Sequence, residues 1–242
     1  MVVGLTLGLL GSGGSILTVP ILRYLLHHDH KAAIAESLVI VGVVSLAGFL
    51  QALRAGRASP KLVVVYGAPG MLGGVAGSLL AKLLPGPVQF VLLALLMLGA
   101  AYRMAVGAER SDASTKAAPS MRVMAMIGAA VGCITGLVGV GGGFLIVPAL
   151  VLFGRLPMRV AVGTSLGVIA MNCAVSFATY LITVRELDWP AVGLFVVLGV
   201  AGSVVGQRLS GRLPQRLVRR IFAGFLVLIA LVVLWEELAV LF

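Results

Sequence analysis

Apolar residues run along this chain in eight long blocks parted by short polar or proline-containing breaks, and most of the blocks are long enough to cross a bilayer. The first, about 2–26, gives way to His27-His28-Asp29-His30-Lys31, and the second, about 32–53, ends in the stretch from Arg54 to Pro60. The third covers about 62–84 and stops at Pro85-Gly86-Pro87, after which the fourth runs to about Ala105. From Gly107 to Ser120 the chain turns polar, and this is the stretch that reads as a linker. The fifth block covers about 121–153, the sixth 158–182, the seventh 189–209 and the eighth 217–241. Each is expected to be helical, because a helix satisfies its own backbone where lipid offers no water to do so. At 33 residues the fifth is too long for one straight crossing and fits two half-helices.

The blocks repeat. Residues 8–22 and 136–150 agree at nine of fifteen positions, including four glycines and a proline. At the same offset of 128, block six echoes block two at Ala33/Ala161, Ser37/Ser165, Leu38/Leu166 and Phe49/Phe177. Block seven echoes block three at an offset of 129, through Gly70/Gly199, Gly73/Gly202, Gly77/Gly206 and Pro85/Pro214. The chain therefore reads as an all-α integral membrane protein made of two homologous four-segment halves, residues 1–106 and 121–242, joined by the linker 107–120.

The strongest match is the pair Gly11-Ser12-Gly13-Gly14-Ser15 and Gly139-Val140-Gly141-Gly142-Gly143, each followed by an apolar run and a proline. Glycine costs a helix about 1 kcal/mol per residue relative to alanine, so the run from Gly136 to Gly143 should break it. A break in lipid is tolerated only where protein covers it or it lines a watery cavity. A half-helix restarting at Ile16 or Phe144 would aim free N–H groups and a positive dipole end into that cavity, which suits an anion. The competing reading is close helix packing of the small-xxx-small kind. Gly70, Gly73, Gly74 and Gly77 of block three form a glycine face of that second type.

Composition agrees with a membrane protein: 60% of residues are hydrophobic and 11% charged, with a mean hydropathy of +1.15. The net charge of +10 comes from Lys and Arg in short loops between apolar blocks, where they set orientation and do not mark a nucleic-acid surface. If all eight blocks cross, alternate loops hold 8 and 10 basic residues, and no orientation follows. If blocks one and five dip in and return, one face holds 14 and the other 4. The positive-inside rule prefers the second count, which makes the halves inverted repeats with glycine-broken, re-entrant first segments and puts both chain ends outside. The first block lacks a basic leader, and its glycines interrupt any signal-peptide core, so it is expected to belong to the mature fold.

Candidate chemistry is sparse. Thr164 and Ser165 in block six and Ser37 at the matching place in block two offer hydroxyl donors, against the alternative that they bond back to their own helices. Asn172 follows two turns below Ser165. With these go Gly13, Gly14, Ser15, Gly141, Gly142 and Gly143 as backbone contributors to a substrate site. Glu36 is an acid early in an apolar span, a candidate for proton coupling or else for pairing with Lys31 or a histidine. Gln51 and Gln207 read as interhelical hydrogen-bonding groups. His27, His28 and His30 lack the spacing for three metal ligands on one face, and Cys133 and Cys173 read as buried apolar residues. No enzyme motif, nucleotide loop, cofactor site or metal site is recognised.

The duplicated G-x-GGG-x(4)-P core, the following Val160-Ala161-Val162-Gly163-Thr164-Ser165, the Asp188-Trp189 start and the G-x(2)-G-x(3)-G block ending in Leu-Pro resemble the sulfite exporter TauE/SafE family, also called the toluene sulfonate uptake permease family. The resemblance covers essentially the whole chain and is strongest in the second half. In the first half Ser15 replaces the third glycine, and Ala35-Glu36-Ser37 stands where the pattern has Gly-Thr-Ser. The resemblance implies a multi-pass permease of the bacterial inner membrane for small sulfur-containing anions such as sulfite or organosulfonates, with the bilayer and a small anion as partners. The alternatives are a membrane-embedded lipid-handling protein or enzyme, and an anion channel.

Overall fold

The computed structural model describes residues 8–10, 30–81, 83, 86–106, 120–138, 143–180 and 188–241. Residues 8–10 are helical. Eight longer helices follow: α1 His30–Arg54, α2 Pro60–Ala81, α3 Gly86–Val106, α4 Met121–Val138, α5 Gly143–Leu152, α6 Met158–Tyr180, α7 Trp189–Arg212 and α8 Gln215–Leu241. Among the described residues there is no strand. Among the described residues five helices are long and apolar enough to cross a membrane, which makes this a multi-pass membrane protein. Their large apolar side chains stand outward as well as inward. Leu72, Val64, Leu194, Val197, Leu228 and Trp235 are all exposed, as lipid-facing residues must be.

Polar residues set the helix ends. The Ser59 hydroxyl accepts from the Leu62 N–H at 3.4 Å at the start of α2, and Pro60 fills the first helical position, where no N–H is needed. Asp188 caps α7 by accepting from the Ala191 N–H at 3.0 Å, again with a proline in the first turn. At the end of α1, Gly56 takes a φ of +67°, the Arg57 N–H reaches back to the Ala52 carbonyl and the Gly56 N–H to the Leu53 carbonyl. This is a Schellman turn, and it folds the chain sharply after Arg54.

The chain forms two compact units: Met1–Gly67 with Arg159–Leu213, and Ala68–Met158 with Pro214–Phe242. Each unit takes helices from both sequence halves. The boundary falls inside α2, two residues before Pro69, whose ring deprives the Val65 carbonyl of its usual helical donor.

In the first unit α1 packs on α7 and on α6. Gly199 sits under Val44, Gly48 lies beneath Ser203 and Gln207, and Glu36 meets Asp188, so α1 and α7 run parallel. Gly163 lies against Ala52 and Arg57, Gly167 against Phe49, and Gly42 against Cys173, so α1 and α6 run antiparallel. The start of α2 lies parallel to α6, with Gly167 beside Val63 and Gly67 beside Met171. Ile40, Val44, Leu166 and Val192 form the core of this unit.

In the second unit α3 and α8 pack along their length. Ala94, Met97, Ala101 and Met104 line one stripe, and Val218, Phe222, Leu226 and Ala230 the other. The glycine face of α2 meets α4 backbone to backbone: a Cβ at Gly132 would overlap the Gly70 carbonyl, one at Gly136 the Gly74 carbonyl, and one at Gly77 the Cys133 carbonyl. In the first unit Gly8 presses on the Ser203 carbonyl in the same way. Gly8 is the repeat position of Gly136, and Ser203 that of Gly74.

Gly132→Val should therefore destabilise the protein by about 1–3 kcal/mol, although valine is the better helix former. Thermal unfolding in detergent measures it, and an unchanged or raised midpoint would contradict the packing described.

Candidate functional site

The Schellman turn after α1 brings the Arg57 carbonyl onto Gly163 in the first turns of α6, where no side chain could be accommodated. Arg159 stands one residue into the same helix. Its Nη2 donates to the Leu213 carbonyl at 3.0 Å, at the C-terminal end of α7, where a cation is favoured. Arg57 and Arg159, with Gln207, Ser210, Gly8, Ala52, Val162 and Gly163, line a cavity whose enclosed part is about 10 Å³, room for one water-sized group.

Deeper in the unit, polar atoms are buried without partners. Among the described residues these include the hydroxyls of Ser45 on α1, Tyr66 on α2, Thr164 on α6 and Ser203 on α7, with Oε1 of Gln51 and Oδ1 of Asn172. All belong to the first unit. An unsatisfied buried hydroxyl costs about 1–3 kcal/mol, so four in one small helical unit are an outlay that folding alone does not explain.

The expected site residues separate into three groups. Glu36, Ser37, Thr164, Ser165 and Asn172 lie in the first unit, with Ser37 and Ser165 each seven residues into its helix. Thr164 is fully buried and its hydroxyl has no partner, whereas Ser165 donates to the Val162 carbonyl of its own helix at 2.8 Å, the back-bonding alternative. Gly143 lies in the second unit as the buried first residue of α5. Gly13, Gly14, Ser15, Gly141 and Gly142 lie outside the described residues, as do His27 and His28. Helices α4 and α5 lie on either side of the expected break in block five, and the break itself, at 139–142, lies outside the described residues.

Glu36 is 1% exposed, and its Oε1 accepts the backbone N–H of Asp188 at 3.0 Å. Asp188 is itself the cap of α7. In the usual capping box the acid three residues into the helix reaches back to the cap N–H, but Ala191 holds that position here. Glu36 supplies the missing carboxylate from another helix, 152 residues away. Gln207 behaves as an interhelical group, its Nε2 donating to the Gly48 carbonyl. Cys133 and Cys173 are free thiols, and no metal-binding cluster occurs among the described residues.

A second cavity, of about 510 Å³, is a groove between α1 and α6. Val39, Gly42, Val43, Leu46 and Phe49 line it from α1, and Gly167, Ala170, Met171, Ala174 and Phe177 from α6. Leu38 and Cys173 complete the lining, and five of the six positions on each helix match at the offset of 128. With an apolar lining it offers an anion no compensation for lost water.

The sequence profile of the sulfite exporter TauE/SafE family matches residues 1–233. The chain belongs to that family. Among relatives, it is 31% identical over 246 residues to a probable membrane transporter protein of Xylella fastidiosa (strain Temecula1), covering 98% of this chain and 93% of the other. It is 32% identical over 247 residues to the counterpart from strain 9a5c, with the same coverage. With the probable membrane transporter protein YdhB of Bacillus subtilis (strain 168) it shares 26% identity over 216 residues, 88% of each chain. No solved structure matches.

Sequence reasoning passed over Ser45, Tyr66, Arg159, Ser203 and Ser210 in this TauE/SafE chain. For Arg159 a signal existed. The 128-residue offset pairs it with Lys31, and pairs Arg57 with Arg185, so both basic positions occur twice.

The cap across helices makes its own forecast. Glu36→Ala should cost about 1–2 kcal/mol, as loss of a cap does, and Glu36→Gln only about 0.5 kcal/mol, because an amide oxygen still accepts the Asp188 N–H while the charge at the helix N-terminus is lost. Thermal unfolding with hydrogen exchange at residues 188–192 reads both, and equal losses would contradict this role.

Proposed function

We propose that this TauE/SafE member is a secondary transporter of the cell inner membrane that moves a small anion of the sulfite or sulfonate class by alternating access, and that it is not an enzyme. The observation that carries the reading is the set of unpartnered hydroxyls at Ser45, Tyr66, Thr164 and Ser203 inside a unit of membrane helices. Polar groups kept at that cost within lipid are where a substrate or its water supplies the missing partner. The sign follows from the charges nearby. Among the described residues of this unit the carboxylates are Glu36 and Asp188, both engaged at the N-terminus of α7, whereas Arg57 and Arg159 face the polar cavity. On this reading the amides of Gly13, Gly14, Ser15, Gly141, Gly142 and Gly143, with Ser37, Thr164, Ser165 and Asn172, complete the substrate path.

Two observations support inverted repeats. Helices α1 and α6 occupy equivalent places in the two halves yet run antiparallel, presenting equivalent faces to one groove, as elements related by a two-fold axis do. The contact of Gly8 with Ser203 also repeats that of Gly136 with Gly74. Each sequence half, 1–106 and 121–242, is then one repeat whose helices are shared between both compact units.

A re-entrant fifth block has separate support. Arg57 and Arg159 line one cavity and so belong to one membrane face, which requires an even number of crossings between them. On this reading α2 and α3 supply two, and α4 with α5 go in and come back. The ten residues of α5 reach only about 15 Å, half the thickness of a bilayer core.

The apolar groove is the observation that favours the alternative, a lipid-handling protein. Flux separates the two. Liposomes loaded with sulfite should take up labelled sulfite by counterflow, in a panel with thiosulfate, sulfoacetate, sulfate and simple carboxylates, and Gly141→Leu should lose at least tenfold of that uptake. Thr164→Val removes a buried hydroxyl that has no partner, so it should leave thermal stability equal or up to about 1 kcal/mol higher while flux falls severalfold. Failure of every anion to move would overturn the proposal.

A further inference from the structure

The cavity at the end of α1 holds an unusual charge arrangement. Arg57 and Arg159 share it, and neither has a carboxylate partner among the described residues. Arg159 is held by its Nη2 bond to Leu213, and its Nε is buried with no acceptor. Ser210 and Gln207, both buried, complete the wall, and Gln207 spends one amide hydrogen on Gly48 and keeps a second. The first N–H groups of α6 add a positive helix end. Two like charges, an amide and a hydroxyl converge on a space with no acid among its described lining. Such a set is complete only with an anion whose oxygens accept from several donors at once, the geometry arginine forks favour.

We propose that Arg57, Arg159, Gln207 and Ser210 form a docking site for an oxyanion group at the membrane face where α1 ends. The enclosed 10 Å³ admits one oxygen, and the rest of the group lies in the surrounding unfilled space of about 240 Å³, which runs out to solvent. Sulfite, a sulfonate and the phosphate of an anionic lipid all present this chemistry. The site rests on the transport reading only for the fate of the anion after docking. The duplicated basic positions, Lys31 and Arg185 for Arg159 and Arg57, fit a device that the internal repeat copied.

The test uses the full chain in phosphatidylcholine nanodiscs, titrated with sodium sulfite or methanesulfonate by calorimetry, beside identical discs containing phosphatidylglycerol. Arg57 makes no side-chain bond among the described residues, so Arg57→Gln should melt like the wild type and bind sulfite at least tenfold more weakly. Arg159→Lys, which keeps the charge and loses the fork, should weaken it severalfold. Sulfite binding in neutral discs that falls in both variants supports the site with a soluble anion. Stabilisation seen only with phosphatidylglycerol, and lost in both variants, supports it with a lipid headgroup. Binding of neither, or binding unchanged in both folded variants, overturns it. Loss of this site with counterflow intact removes the docking proposal alone, and binding without flux removes the transport reading alone.

Discussion

Backbone pressed on backbone is the constraint from which the rest of this structure follows. In lipid the hydrophobic effect does not pull helices together, so they associate through close packing, and glycine is the residue that lets two main chains touch. Gly132 on Gly70, Gly136 on Gly74 and Gly77 on Cys133 lock α2 to α4, and Gly8 does the same against Ser203 of α7. Each contact leaves no space for a Cβ, which fixes helix register far more tightly than interdigitated leucines would. In the first unit the contact of Gly8 with Ser203 fixes α7, one of the helices that carry the unpartnered hydroxyls.

The two compact units differ in character. The second is built on apolar stripes of α3 and α8 and a short α5 buried from Leu145 to Leu150. The first holds the buried hydroxyls of Ser45, Tyr66, Thr164 and Ser203, the acid of Glu36 and the paired arginines. Acid and base occupy opposite ends of that unit. Glu36 sits with the positive N-terminal end of α7 and Arg159 with its negative C-terminal end, so one helix dipole organises both. Arg57 faces the cavity with no such counterpart among the described residues, which is why the oxyanion proposal turns on it.

Much of this was legible in the chain. Apolar block lengths anticipated the eight longer described helices to within a few residues. The spacing of Gly70, Gly73 and Gly77 announced a close helix contact, though not that α4 would fill it. What the sequence concealed was long-range. The Asp188 N–H that Glu36 accepts from lies 152 residues away, beyond what the neighbouring residues suggest. Arg159 read as an orientation signal because a basic residue at a helix start has that ordinary use. The hydroxyls of Thr164 and Ser165 looked alike on paper, but a rotation of about 100° around the helix separates an unpartnered group from one bonded to its own backbone.

The claim on which the mechanism stands is that two equivalent halves are inserted in opposite senses, each with a first segment that enters and returns. Single cysteines at positions 54 and 155, in a Cys133→Ala, Cys173→Ala background, probed with a membrane-impermeant maleimide on sealed vesicles of known orientation, test it most directly. Both positions should label from the cytoplasmic side, with a cysteine at 185 labelling from the other. Positions 54 and 155 labelling from opposite sides would mean that block five crosses fully and that the account is wrong.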